Sequence, residues 1–170
     1  VQHLVLQEDA GLITLTGPGG IGKTRLALQA AANLLDHFAD GVYFVALAAI
    51  VDPILVLEAV AQTVGLRVGA GQPLPVALAD HLRQQQLLLV LDNFEQVLPA
   101  APAVADLLHA CPQLKVLVTS RVLLHLYGEH TFPVPPLALP HAEEVDRIVA
   151  RPSPGDAVAD LRRYAAVDLF

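Results

Sequence analysis

Short apolar runs alternate with longer segments of helical period along this chain of 170 residues. Leu12 to Thr16 (LITLT), Val42 to Leu47 (VYFVAL), Leu87 to Leu91 (LLLVL), Leu114 to Thr119 (LKVLVT) and Thr131 to Val134 (TFPV) read as five strands. Most are apolar without a break rather than alternating, the pattern of strands buried on both faces of a parallel sheet covered by helices. LLLVL suits a central strand, and Pro133 suits an edge, where a missing N–H costs no ladder bond. Between them the spacing predicts helices over Lys23 to His37, from Asp52 as cap and Pro53 at the first position to Gly65, over Pro75 to Gln86, and over Glu95 to Ala110. Pro99 and Pro102 are expected to break or kink the first half of the last of these. Arg67 to Pro75 reads as a loop from its Gly and Pro content.

Beyond Pro135 and Pro136 an irregular acidic stretch leads to a further helix from about Asp156, with Val158, Leu161, Ala165 and Leu169 on one side. The organisation expected is one α/β domain over residues 1–139, then a linker and the start of a following helical segment over 140–170. The first residue is not Met and the final helix stops without a cap, so the expectation is a piece of a longer protein.

Gly17 to Thr24 reads GPGGIGKT, which satisfies GxxxxGK[ST] directly after one strand and before one helix. Glycines let successive backbone N–H groups and the helix N-terminus face an anion, because side chains would occupy the space of the phosphates. Gly17, Pro18, Gly19, Gly20, Ile21, Gly22, Lys23, Thr24 and Arg25 are therefore the candidate nucleotide-binding residues. Lys23 adds a full positive charge at the β/γ-phosphates, and the Thr24 hydroxyl suits Mg²⁺. A carboxylate is needed across the site, and Asp92 stands at the end of LLLVL, where open α/β sheets bind ligands. Thr24 and Asp92 are the candidate metal ligands.

Asn93 follows, at a position where many ATPases carry a second acid that activates water, and an amide cannot take up that proton. Glu95 is the remaining acid nearby, either acting through a water or sitting as a solvated first-turn residue. A missing general base costs about 10² to 10⁴ in rate, so slow turnover is expected. Arg121, after the fourth strand, either reads the γ-phosphate or is a surface arginine.

Composition narrows the alternatives. Ten basic against seventeen acidic residues give a net charge of −7, the wrong sign for holding nucleic acid through its phosphates. The chain is 54% apolar, but its longest apolar run, Val42 to Val51, is about half of the roughly 20 residues that span a bilayer. No signal sequence is visible, so a cytoplasmic, membrane-free protein is expected. The single cysteine, Cys111, lies in an apolar setting and reads as a buried structural thiol. No histidine falls in an HExxH pattern, no NKxD element reads a guanine base, and no LSGGQ-like segment occurs.

Taken in order, GPGGIGKTRLALQAA, DGVYFVAL, LLLVLDNFEQVL, LKVLVTSR and GEHTFPVPPL resemble the nucleotide-binding domain of STAND-class ATPases, in particular the NB-ARC-like module of large bacterial LuxR-type and antibiotic-regulatory transcriptional regulators. The resemblance covers about Leu12 to Leu139. It implies a P-loop NTPase fold, α/β, with a parallel five-stranded sheet in the order 5-1-4-3-2 flanked by helices. It also implies ATP or ADP as ligand, Mg²⁺ on Thr24 and Asp92, Lys23 on the phosphates and Arg121 as a sensor arginine. The glycine-arginine-acid element that precedes the first strand in that family has no counterpart in Val1 to Asp9.

The function expected is an ATP/ADP-dependent switch in a signalling or transcriptional regulator, with slow Mg²⁺-dependent hydrolysis and self-association of the full-length protein. Two alternatives stand beside it: a small-molecule phosphotransferase and a nucleotide-binding scaffold without turnover.

Overall fold

Leu88, Leu89, Val90 and Leu91 are each at most 1% exposed, so the third strand is enclosed on both faces, as its composition requires. The computed structural model describes residues 1–69 and 71–136. The chain divides into two units, Val1–Val134 and Pro135–Phe170, and the sheet with its helices belongs to the first. The helix expected from Asp156 and the boundary expected between residues 139 and 140 lie outside the described residues.

The strands are β1 (Leu12–Thr16), β2 (Val42–Ala46), β3 (Leu88–Asp92), β4 (Lys115–Ser120) and β5 (Glu129–Pro133). All pair in parallel in the order β2-β3-β4-β1-β5, which is the expected 5-1-4-3-2 counted from the other edge. The helices are α1 (Gln2–Val5), α2 (Lys23–Ala32), α3 (Leu55–Thr63), α4 (Leu74–Leu82) and α5 (Ala101–Ala110). Side chains alternate across the sheet. Leu89, Leu91, Val116 and Val118 pack with Val56, Leu78 and Val104 of α3, α4 and α5, whereas Leu88, Val90 and Leu117 pack with Ala27 and Ala30 of α2.

The structure corrects several helix boundaries. The helix expected to reach His37 ends at Ala32. The chain then tightens to i−3 bonds, Leu34 N to Ala31 O at 3.1 Å and His37 N to Leu34 O at 2.9 Å, which turn Leu34 into the core. The helix expected from Glu95 begins only at Ala101. Asn93 has φ 65, and two 3-10 turns, Phe94–Gln96 and Leu98–Ala100, take up the stretch that Pro99 makes unfit for α-helix. Pro102 is accommodated in the first turn of α5, where its missing N–H has no intrahelical partner to lose. The helix expected to reach Gln86 ends at Leu82. The helix expected from Asp52 as cap and Pro53 at its first position begins only at Leu55, with Ile54 as its N-cap; Asp52 instead closes the turn before it, its Oδ1 accepting from Ile54 N at 3.0 Å. The four-residue α1 is too short to leave a periodic signal.

Only two lysines occur, and backbone carbonyls surround both ammonium groups. Lys115, opening β4, donates from Nζ to the carbonyls of Gln7 at 2.7 Å and Ala10 at 2.9 Å, tying the α1 segment to the sheet. Burial lowers its pKa from the usual lysine value.

Cys111 is fully buried, its thiol directed at the Ala79 carbonyl 3.5 Å away, and burial pushes its pKa up. A thiol whose folded pKa is raised stabilises fully below the unfolded value of about 8.5 and loses that contribution as pH climbs through the folded value. Denaturation of the parent and Cys111→Ala should therefore give a stability difference that is constant from about pH 6 to 8, with the parent weakening faster above that. Parallel pH profiles throughout would contradict the assigned burial.

Thr14, in β1, is fully buried and its hydroxyl has no hydrogen-bond partner among the described residues. Replacing a buried unsatisfied hydroxyl with a methyl of similar shape removes a desolvation cost. Thr14→Val is expected to stabilise by about 1 kcal/mol, or roughly 2–4 °C in Tm. A lower Tm by calorimetry would mean that the hydroxyl has a partner after all.

Candidate functional site

The chain leaves β1 through a loop whose shape depends on glycine. Gly17 has φ 149, and a Cβ there would lie 2.3 Å from the Ile21 side chain. Gly22 has φ 89 at the N-cap of α2, a conformation costly for any residue with a Cβ. The resulting turn opens α2 at Lys23, so the positive end of the helix macrodipole faces the loop. Lys23 is 9% exposed and its Nζ donates to the carbonyls of Gly17 at 2.8 Å and Pro18 at 2.9 Å. The ammonium is thus folded over the loop it follows.

Beneath it three elements meet on one carboxylate. Asp92, ending β3 and 6% exposed, accepts at Oδ1 from the Thr24 hydroxyl at 2.7 Å and from the Thr119 hydroxyl at 2.6 Å. Thr119 Oγ1 in turn accepts from Asn93 N at 3.0 Å. Among the described residues no hydrogen bond engages Asp92 Oδ2. Sequence reasoning gave Thr119 no role. The available signal was the parallel pairing of β3 with β4, where Leu91 lies opposite Val118 and Asp92 is next in register with Thr119.

The left-handed Asn93 then turns the chain, sending Phe94 into the core and Glu95 to the cleft. Arg121, at the end of β4, donates from Nε to Glu95 Oε1 at 3.0 Å, with the arginine side chain 64% exposed and the glutamate 13%. An ion pair with one partner this exposed contributes at most about 1 kcal/mol. Glu95 Oε2 is buried and has no hydrogen-bond partner among the described residues.

A cleft of about 460 Å³ joins these parts. Of the sequence-predicted residues, Gly19, Gly20, Gly22, Lys23, Thr24, Arg25, Asn93, Glu95 and Arg121 line it. Asp92 lies at its floor through Thr24, Gly17 and Pro18 supply the carbonyls that hold Lys23, and Ile21 packs over Gly17 instead of lining the cleft. Lys23 and Asp92, far apart in sequence, share one site.

The donor set suits Mg²⁺. Thr24 Oγ1 and the Asp92 carboxylate are hard oxygen donors already in contact, and Mg²⁺ is typically held by one or two protein groups together with phosphates and water. No group of three His, Cys, Asp or Glu able to cage a metal alone exists among the described residues.

A five-stranded parallel α/β sheet with a glycine-rich loop leading into α2 defines a P-loop nucleotide-binding domain. Residues 6–132 match the AAA domain family model AAA_22, and the chain belongs to that family. It is similar to the uncharacterized protein Rv0894 of Mycobacterium tuberculosis, 41% identical over 135 residues, which cover 79% of this chain and 34% of that protein. It is also similar to the protein of the same organism named "Putative HTH-type transcriptional regulator Rv0890c", 39% identical over 153 residues, 88% of this chain and 17% of that one. The chain therefore spans about a third or less of the length of these curated relatives. Among solved structures, the Aeropyrum pernix ORC2 protein, described in ADPNP-ADP complexes, shares the fold with a TM-score of 0.55 at 16% identity, over 93% of this chain and 50% of that one.

Removing the Thr119 hydroxyl leaves the Asn93 N–H without its acceptor and Asp92 with one donor fewer. Thr119→Val should cost about 1–3 kcal/mol in urea denaturation, and Thr119→Ser should recover most of it. Equal stability of all three proteins would remove Thr119 from the junction.

Proposed function

We propose that this chain is an ATP/ADP-binding switch domain of a signalling or transcriptional regulator, with slow Mg²⁺-dependent ATP hydrolysis. The observation that carries the reading is the contact of Thr24 with Asp92 directly under the loop that Lys23 closes. Lys23 and the loop amides would hold the phosphates, with Arg25 at the opening, and Thr24 and Asp92 would hold Mg²⁺. Bound there, Mg²⁺ would neutralise charge on the phosphate oxygens. The ADPNP-ADP complexes of the Aeropyrum pernix protein agree with an adenine nucleotide as ligand.

Slow turnover follows from the acids present. Asn93 offers an amide, and Glu95, the carboxylate among the described residues of the cleft wall, is engaged by Arg121. Glu95 orients the attacking water. Water adds to the terminal phosphorus as the bridging P–O bond breaks, and its proton leaves with the products, ADP and inorganic phosphate. A slow reaction suits a timer more than a metabolic phosphotransferase, which needs rapid chemistry and an acceptor site. A scaffold without turnover would bind ATP and return it intact.

The regulator assignment draws on the named helix-turn-helix relative and on the likeness of the five ordered motifs to NB-ARC-like, STAND-class modules of LuxR-type regulators. In the longer protein, self-association is the expected partner interaction. A net charge of −7 argues against direct nucleic-acid contact by this segment. No described helix is long and apolar enough to cross a membrane.

Calorimetric titration tests the assignment. Lys23→Ala should weaken ATP and ADP binding by about tenfold to a hundredfold or more, and Asp92→Ala should abolish the dependence of binding on Mg²⁺. Titrations of both variants that match the parent would refute it.

A further inference from the structure

The two edges of the sheet are built differently. β5 carries Glu129, His130 and, at its end, Pro133, groups that discourage a further strand from pairing there. β2, at the opposite edge, reads VYFVA and has neither a charge nor a proline. Its pairing with β3 fixes which of its backbone groups are already used. Leu88 N donates to Gly41 O at 3.1 Å, and Leu47 N donates to Asp92 O at 3.0 Å. In a parallel ladder only alternate residues bond to a given neighbour, so Gly41, Tyr43, Val45 and Leu47 face β3, and Val42, Phe44 and Ala46 turn their N–H and C=O outward. Among the described residues β2 has β3 as its one neighbour in the sheet, and no loop takes up the outward groups. Val42 packs with the α2 side of the core and Tyr43 with the opposite side, so Phe44 shares the α2 face, where it is 38% exposed. An open, uncharged strand edge beside an exposed aromatic ring is a template for another strand.

We propose that β2 is a self-association surface: β2 of a second copy pairs with it antiparallel about a two-fold axis at Phe44, joining the two sheets into one. Centred on Phe44, the outward residues of each copy are the ones that exchange bonds in pairs, Phe44 with Phe44 and Val42 with Ala46, which gives about six main-chain hydrogen bonds. Residues directly opposite one another share a face, so the two exposed Phe44 rings meet. Charge favours a second copy at this strip. The chain carries −7, so two copies repel over most of their surface, whereas antiparallel pairing of VYFVA sets no like charges opposite each other. Each copy offers one such edge, so the pairing closes at two copies and does not propagate. The inference builds on the self-association proposed above, for which another surface would serve equally, and it needs no nucleotide.

Sedimentation velocity on the full chain over a range of concentrations reads the association, and hydrogen exchange by NMR reads the strand. The chain should pass from monomer to dimer, and no further, as concentration rises. In the dimer the Phe44 and Ala46 amides should exchange at least about tenfold more slowly than in the dilute monomer, while Tyr43 and Val45, already bonded to β3, should be protected in both. Phe44→Lys, which sets two ammonium groups opposite each other at the axis, should weaken dimerisation by about tenfold or more. Thr131→Lys, at an exposed position of the β5 edge, should leave it unchanged. The exchange measurement needs no variant, so it decides the matter even where Phe44→Lys fails to fold. A chain that stays monomeric up to about 1 mM overturns the pairing. A dimer whose Phe44 and Ala46 amides exchange as fast as in the monomer overturns it as well, because the contact then lies elsewhere. Protection of those amides that persists on dilution assigns the edge to another segment of the same chain, and equal weakening by Thr131→Lys removes β2 from the contact; either result defeats the proposal. None of these outcomes bears on nucleotide binding, which the calorimetric titrations test separately.

Discussion

The Asp92 carboxylate is the point on which the site depends. It is nearly buried, and a buried charge is tolerated only when hydrogen bonds replace its water. Two hydroxyls, from Thr24 and Thr119, supply them. Each comes from a different element, so satisfying one side chain also ties the start of α2 to the ends of β3 and β4. The parallel register makes this possible, because it brings all three chain segments to the same edge of the sheet.

From that junction the rest of the cleft follows. Thr24 being held, Lys23 opens the helix at the loop, and its ammonium closes over the Gly17 and Pro18 carbonyls. Asn93, held through its N–H by Thr119, takes the left-handed conformation that separates Phe94, buried in the core, from Glu95, facing the opening. The switch reading grows from this division: one residue anchors the turn while the next but one meets the ligand side and pairs with Arg121.

Much of the frame was legible without coordinates. LLLVL suited a strand buried on both faces, and Pro133 suited an edge, where β5 indeed lies. Cys111 read as a buried thiol and is one. Helix ends were less legible. The stop of α2 at Ala32 depends on Leu34 finding the core through tighter turns, and the late start of α5 depends on a positive φ at Asn93 that hydrophobic periodicity does not encode. Lys115 offered no local signal either, since its three acceptor carbonyls come from a segment more than a hundred residues earlier.

Sequence alone determined the strands, their parallel arrangement, the glycine loop and the identity of the charged groups near it, because these rest on local periodicity, turn chemistry and a contiguous motif. Only the tertiary structure decided that Thr119 shares Asp92 with Thr24, that Glu95 rather than Asn93 pairs with Arg121, and that one Glu95 oxygen is buried without a partner among the described residues. Those relations are set by strand register and by the direction of a single left-handed turn, both of which depend on distances across the fold and not on spacing along the chain.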